Sequence, residues 1–328
     1  MNRRMFMARS LAMAAQLPRS EQAFDLQTCG FAIPCKLAGP ATGTPKGAIL
    51  LLPGSLFIDV DGDMPAMGIR PHAYADIAGQ LAALGWASLR MAKIGPGTGS
   101  RVVDADVAGH HANFAARETF AAAALARLRA SAPHGPAIVA GHSEGALVAN
   151  LLAARRSRVA IQGVISLSGP AVRLLDILRG QVAAMAGPGE PPPDLSKLDA
   201  AIAGIRAGET LPPGAASNPQ TAMLASMPPM SLAYLADVDR IDPLVAAAAV
   251  RQPMLLIQGG RDDSVTPDQV DALSRARGRR PTAVRKFPEL TRFYKVAPAG
   301  ITAQASMALS TQSDPAVAAA MASWCNGL

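Results

Sequence analysis

The sequence predicts an α/β fold: a mostly parallel central sheet flanked by helices and interrupted by a helical lid. Three observations carry this expectation. Short apolar runs alternate with helical segments through most of the 328 residues, at a spacing that suits parallel strands joined by right-handed crossovers. Gly141-His142-Ser143-Glu144-Gly145 stands directly between one such run, Ala137 to Ala140, and a helical run, Ala146 to Arg155. From about Ala171 to Asp239 the strands stop while helical stretches continue, broken at Gly187 to Pro193 and at Leu211 to Pro219.

Taken in order, residues 1–20 form a leader. Arg3-Arg4-Met5-Phe6 is similar to a twin-arginine export signal and Ala12-Met13-Ala14 to an A-x-A cleavage site, but the apolar stretch is short and broken by Arg9. The preferred reading is an N-terminal extension on a cytoplasmic protein, with export as the alternative. Ala23 to Leu37 alternates as an antiparallel hairpin, and Gly39 to Lys46 connects it to a first interior strand, Gly47 to Leu52. A helix over His72 to Leu84, a strand over Trp86 to Met91, a Gly-rich loop from Gly95 to about His111 and an Ala-rich helix over Asn113 to Ala130 precede the elbow strand. Gly163 to Leu167 closes the first part of the core, 21–170, and the lid occupies 171–240. Its Met223, Met227 and Met230 suit either an adaptable apolar pocket or ordinary helix packing. The second part of the core, 241–328, holds strands at Met254 to Gln258 and Ala283 to Phe287 and a closing helix, Asp314 to Cys325.

Charge and composition narrow the function. The net charge of +7 falls to +3 once the four arginines of residues 1–20 are set aside, so the body is nearly balanced and does not suggest nucleic acid. The one basic cluster, Arg275, Arg277, Arg279, Arg280, Arg285 and Lys286, reads as a solvated helix end and strand start. No apolar run approaches the roughly 20 residues of a membrane span. Cys29, Cys35 and Cys325 match neither a zinc site nor a redox pair and are read as structural, a Cys29–Cys35 bridge being conceivable only after export. With no phosphate loop, metal cluster or dinucleotide fingerprint, no cofactor is expected, and the partner is a small-molecule substrate. Oligomeric state is not legible.

The chemistry is concentrated in the Gly-x-Ser-x-Gly segment. A strand that turns abruptly into a helix places the central serine in a strained backbone, and glycines two positions to either side relieve the crowding. The turn aims the Glu144 N–H and the start of the following helix at the space above Ser143, where negative charge would develop on a carbonyl oxygen. A second oxyanion donor is expected from Leu52-Pro53-Gly54-Ser55-Leu56 at the end of the first interior strand, on the Ser55 amide. Gly259-Gly260-Arg261-Asp262-Asp263 follows a buried strand and offers Asp262 as the acid of a triad, with Asp263 as the alternative. The histidines are the exception: they stand at 72, 110, 111, 134 and 142, and none follows the acid.

From about Lys46 onward these segments resemble the α/β-hydrolase superfamily, more narrowly its bacterial lid-bearing esterases and serine-peptidase-like hydrolases. The resemblance is carried by the Pro-Gly-Ser strand end, Gly-His-Ser-Glu-Gly-Ala-Leu, Gly-Gly-Arg-Asp, and Asp242-Pro243 followed by Gln252-Pro253. It implies Ser143 as nucleophile, Asp262 as acid and a catalytic histidine within Phe287-Pro288-Glu289-Leu290-Thr291-Arg292-Phe293-Tyr294-Lys295, where Arg292 stands instead. A guanidinium stays protonated and cannot accept the serine proton; it could hold an anionic substrate group or pair with Asp262. A second departure is Arg90-Met91-Ala92-Lys93-Ile94-Gly95, where Ala92 and Ile94 replace a family Asp and Arg. If these charges compensate one another, losing both costs less than losing one.

His110 and His111, on the rebuilt loop, are candidates for a displaced base; His142 is read as structural, and His72 and His134 as helix-start and turn residues. Three functions remain in play. The first is a serine hydrolase acting on an ester, thioester or related acyl bond with an atypical base. The second is a lyase, isomerase or cyclase that uses the oxyanion hole and Arg292 without an acyl-enzyme, and the third is a non-catalytic ligand-binding relative.

Overall fold

The computed structural model describes residues 19–155, 158–184, 191 and 193–328. Residues 1–18, with Arg3, Arg4, Arg9 and Ala12-Met13-Ala14, lie outside them, as does most of the 187–193 break, while Arg19 and Ser20, expected in the leader, begin the first strand. Cys29 and Gly30 both take positive φ, so the chain reverses in two residues and Arg19–Thr28 (β1) pairs antiparallel with Phe31–Pro40 (β2). The parallel sheet follows with Ala48–Leu52 (β3), the helix Ala73–Ala83 (α1) and Ala87–Met91 (β4). Arg101–Val102 (β5), Ala105–His111 (α2) and Phe114–Ser131 (α3) lead to Ala137–His142 (β6) and Glu144–Ala154 (α4). The stretch expected as a loop from Gly95 to His111 therefore holds a short strand and a helix. Asp104 caps that helix by accepting from the Val107 amide, as a short acidic side chain at a helix start does.

After Gly163–Leu167 (β7) come Leu174–Ala183 (α5), Ser196–Ala207 (α6), Ala222–Ala225 (α7) and Pro229–Asp239 (α8). Asp242 then caps Pro243–Ala249 (α9), and the sheet resumes with Met254–Arg261 (β8). Gln269–Ala276 (α10), Thr282–Thr291 (β9), Ala303–Met307 (α11) and Pro315–Cys325 (α12) complete the described chain.

Strand order in the sheet is β1-β2-β4-β3-β6-β7-β8-β9, with β5 beside β2. All pairs from β4 through β9 are parallel; those made by β2 are antiparallel. Because successive side chains of a strand face opposite ways, Ile49, Leu51, Ile138 and Ile165 pack under α1 and α12. Leu50, Leu52, Val139 and Val164 pack under α3 and α4. The α5 to α8 segment has a separate apolar cluster, Leu175, Leu198, Ile202, Ile205 and Leu224, with Met227 against it, while Met223 and Met230 are exposed. No described helix is long and apolar enough to cross a membrane.

Arg277 corrects the reading of the basic cluster as solvated. It is fully buried, and its guanidinium donates to Thr282 Oγ1 and to the carbonyls of Ala247, Val250, Gln252 and Pro281, tying α9, α10 and the start of β9. Arg275, Arg279, Arg280, Arg285 and Lys286 are exposed. The three cysteines are free, and burial pushes the thiols of Cys35 and Cys325 up to about 12.

Candidate active site

Ser143 sits between β6 and α4 with φ 54° and ψ −121°, a conformation that an L-residue adopts only when its surroundings enforce it. The two flanking glycines are required sterically. A Cβ on Gly141 would lie 2.0 Å from the Gly145 carbonyl oxygen, and one on Gly145 would lie 2.5 Å from the Leu52 carbonyl oxygen. The Ser143 amide donates to the Leu167 carbonyl on β7 at 2.8 Å. This leaves Glu144 and Gly145 as first-turn residues of α4, whose amides have no intrahelical acceptor.

The Pro53–Leu56 loop is pinned beside Ser143 from two directions. Arg117, from α3, donates to the Pro53 carbonyl at 2.8 Å, and the Gly54 amide donates to Tyr74 Oη at 3.0 Å. Gly54 is so close that a Cβ there would lie 3.3 Å from Ser143 Cβ. Leu56, two residues on, holds φ 68°. Ser55 therefore follows a fixed residue on the flank of Ser143.

Beneath this loop lies a buried charge network. Glu144 Oε1 accepts from Lys93 Nζ at 3.0 Å, from Tyr234 Oη at 2.7 Å and from Arg117 Nη1. Lys93 and Arg117 also donate to Tyr234 Oη, at 3.3 and 3.2 Å. Burial pulls the Lys93 ammonium down to about 8 against the opposing pull of Glu144. Although burial opposes it, the two cations hold the Glu144 carboxyl below its ordinary range. Lys93 thus keeps a partner despite the replacements at 92 and 94. The network joins α3, the end of β4, α4 and, through Tyr234, α8.

Arg292 extends from the turn after β9 to Ser143. Its Nη2 donates to Ser143 Oγ, and its Nη1 stands 3.6 Å from Asp262 Oδ1 without a hydrogen bond. Asp262 is buried, and Oδ1 accepts the amides of Ser264 and Val265 at 3.0 and 2.9 Å, while Oδ2 has no partner. Asp263 is exposed, and burial of its carboxyl, the largest influence, raises its pKa. Ser143, Arg292 and Asp262 thus form a line in which the guanidinium occupies the middle place.

The remaining histidines do not join it. His110 is exposed, and His111 spends its Nδ1 on the Val107 carbonyl of its own helix at 2.8 Å. Their helix, α2, lies against the β1–β2 turn, where a Cβ on Gly30 would strike Ala108, and among the described residues neither histidine has a hydrogen bond to Ser143 or Arg292. His72 begins α1 with Nδ1 3.1 Å from Asp63 Oδ2, and His134 lies exposed in a turn. His142 is buried, its Nδ1 2.9 Å from Tyr74 Oη and its Nε2 3.1 Å from the Arg292 carbonyl oxygen. A carbonyl only accepts, so Nε2 carries the proton, Nδ1 accepts from Tyr74, and Tyr74 in turn accepts from Gly54. Burial and the neighbouring Arg292 charge push this imidazole down to about 3, so it stays neutral.

Tyr74, Lys93, Arg117 and Tyr234 were not singled out as site residues from sequence. Arg117 had a signal: it interrupts the apolar stripe Phe114, Ala121, Ala124, Leu128 of α3, where a charge requires a buried partner.

The serine aminopeptidase model (S33) matches residues 67–197, a span that includes the elbow and excludes Asp262 and Arg292. No curated protein is significantly similar to the chain. Among solved structures, a lipase in its open form superposes with a TM-score of 0.58 at 16% identity, over 94% of this chain and 98% of that one. A thermostable carboxyl esterase from Bacillus coagulans gives 0.55 at 16% identity, over 94% and 98%. Est1E from Butyrivibrio proteoclasticus gives 0.51 at 16% identity, over 83% and 90%. The chain has the α/β-hydrolase fold.

Proposed function

We propose that this α/β-hydrolase-fold chain is a serine-hydrolase-like enzyme that acts on a carboxylic ester or related acyl bond at Ser143, with Arg292 in the place of the base. The observation that carries the reading is the strained Ser143 at the head of α4, flanked by a Pro53–Leu56 loop that Arg117 and Tyr74 hold against it. An acyl carbon over Oγ would have its carbonyl oxygen between the Glu144 and Ser55 amides, which are preorganised for the developing charge. The α5 to α8 segment would act as the lid over that space, anchored to the elbow by Tyr234.

Arg292 alters the first step. A cation on Oγ favours the alkoxide over the hydroxyl, but it cannot take the proton. Among the described residues Oγ has no other hydrogen-bond partner. The proton therefore leaves to hydroxide or to the substrate itself, and turnover is slow, since losing a triad base costs on the order of a millionfold. The orphaned Asp262 Oδ2 supports this reading: the acid loop is built around a carboxylate whose second oxygen a histidine N–H would satisfy.

The test is hydrolysis of 4-nitrophenyl acetate and butyrate by wild type, Ser143→Ala and Arg292→His. Wild-type turnover should be slow, abolished in Ser143→Ala, and should rise about tenfold per pH unit without an inflection near 7. Arg292→His should raise kcat/KM by about 10² to 10⁴-fold and introduce that inflection. Silence in both the wild type and Arg292→His would overturn acyl hydrolysis. The contact between Arg292 and Ser143 favours one second reading, a lyase, isomerase or cyclase in which Arg292 stabilises an anionic intermediate; its signature is activity that survives Ser143→Ala and disappears in Arg292→Gln.

A further inference from the structure

Arg292 carries five N–H donors, and among the described residues its guanidinium makes one hydrogen bond, to Ser143 Oγ. Its side chain is only 15% exposed, and Nη1 is buried with no hydrogen-bond partner. Asp262 is an ion-pair partner 3.6 Å away but takes no hydrogen bond from these donors: its Oδ1 is engaged by two backbone amides and its Oδ2 has no partner. Buried donors that remain unpaired are costly, and a neutral hydroxyl is a weak counterpart for a guanidinium.

No neighbouring carboxylate hydrogen-bonds the guanidinium. Glu144 is taken by Lys93 and Arg117, Asp262 pairs with Arg292 only at 3.6 Å, and the Asp263 carboxyl acts on Arg292 through its charge alone. The unpaired N–H groups stand in a buried setting beside Ser143, next to the N-terminus of the eleven-residue α4. Ordinary relief for such a group is a bidentate carboxylate, whose planar oxygens match the guanidinium fork.

We propose that the acyl site is selective for substrates that carry a carboxylate, held by Arg292, and that it takes monoesters of short dicarboxylic acids in preference to neutral esters. The proposal rests on the acyl-site reading above and names its substrate class. Geometry bounds the chain length. The guanidinium touches Oγ, the scissile carbon approaches Oγ to about 3 Å, and a carboxylate sits about 2.8 Å from the N–H groups it accepts. The two carbonyl carbons are then within about 9 Å of one another, a range that admits the short span of a succinyl or glutaryl unit. The unpaired Nη1 can take the carboxylate while Nη2 stays on Oγ.

Two experiments separate this from the acyl-site reading. In the first, succinate and glutarate are titrated calorimetrically into Ser143→Ala, which cannot turn over and lacks the hydroxyl that competes for Nη2. Glutarate or succinate should bind, its dimethyl ester should not, and Ser143→Ala/Arg292→Gln should lose affinity by about tenfold to a hundredfold. Arg292→Lys, which keeps the charge and loses the fork, should fall between them. In the second, wild-type kcat/KM for mono-4-nitrophenyl glutarate should exceed that for 4-nitrophenyl butyrate by at least about tenfold, and the preference should vanish in Arg292→Gln. Ser143-dependent turnover of the butyrate without a carboxylate preference would overturn the anion site and leave the hydrolase standing. Arg292-dependent glutarate binding with no ester turned over would do the reverse. Dicarboxylate binding that is unchanged in Arg292→Gln, or binding of inorganic phosphate alone, also overturns the proposal.

Discussion

His142 shows how a single side chain can hold a site together without touching the chemistry. The hydrogen-bond directions Gly54 N–H to Tyr74 Oη, Tyr74 O–H to His142 Nδ1, and His142 Nε2–H to the Arg292 carbonyl leave no ambiguity about which atom holds which proton. The chain of donors runs from the oxyanion loop to the turn that presents Arg292. Tyr74→Phe removes its middle link and leaves a buried amide and a buried ring nitrogen unsatisfied. The expected loss is about 2 to 4 kcal/mol, read as a lower urea midpoint with an unchanged m-value; an unchanged midpoint would mean water repairs both groups. Ring packing against Phe293 and Tyr294 keeps His142 in place from the other side.

Elements, in turn, differ in how independently they are built. Strand β6 and helix α4 have no freedom at the elbow, because Gly141 and Gly145 pack backbone against backbone. The α5 to α8 segment has its own apolar cluster and its own polar staple. Asp239, buried at the end of α8, accepts the Leu175 amide at the start of α5 at 2.8 Å and pairs with Arg206 of α6 at 2.7 Å. A segment held by its own contacts opens as a unit. Asp239→Ala should therefore speed amide hydrogen exchange across α5 and α6 while exchange in β6 and β7 stays as in the wild type. Equal acceleration in the strands would show that the segment is cooperative with the sheet. Tyr234 is its tie to the elbow, through Glu144.

The buried imidazole also sets a pH dependence for the molecule as a whole. His142 has its pKa pushed down to about 3 in the folded chain, from 6.5 when exposed. Below 6.5 the unfolded chain binds a proton that the folded chain refuses, so stability falls as pH drops through the window from 6.5 to about 3 and is unaffected above it. The limiting slope is about 1.4 kcal/mol per pH unit. His142→Gln keeps one donor and one acceptor and never charges. Urea unfolding at pH 7, 6, 5 and 4 should show the wild type losing stability relative to this variant at each step below 6.5; parallel curves would place the histidine outside the titration.

Local pattern was enough for the frame of this protein. Alternating apolar runs placed every interior strand, because buried parallel strands must be apolar on both faces, and Asn113, Asp242 and Asp314 lie at helix starts because their short side chains accept first-turn amides. The elbow was legible because its glycines answer a local crowding that any strand-to-helix reversal creates. Arg292 could be located opposite the acid loop only through resemblance, and its grip on Ser143 came from the fold. Partners such as Lys93, Arg117, Tyr234 and Tyr74 come from segments 20 to 141 residues away, and no local rule relates such positions. Only packing sets which buried charges meet, since each must find its counterpart among whatever side chains the tertiary structure brings within a few ångströms. The docking of α2, which carries His110 and His111, on the hairpin turn is likewise set by packing: a Cβ on Gly30 would strike Ala108, and no local pattern announces that approach.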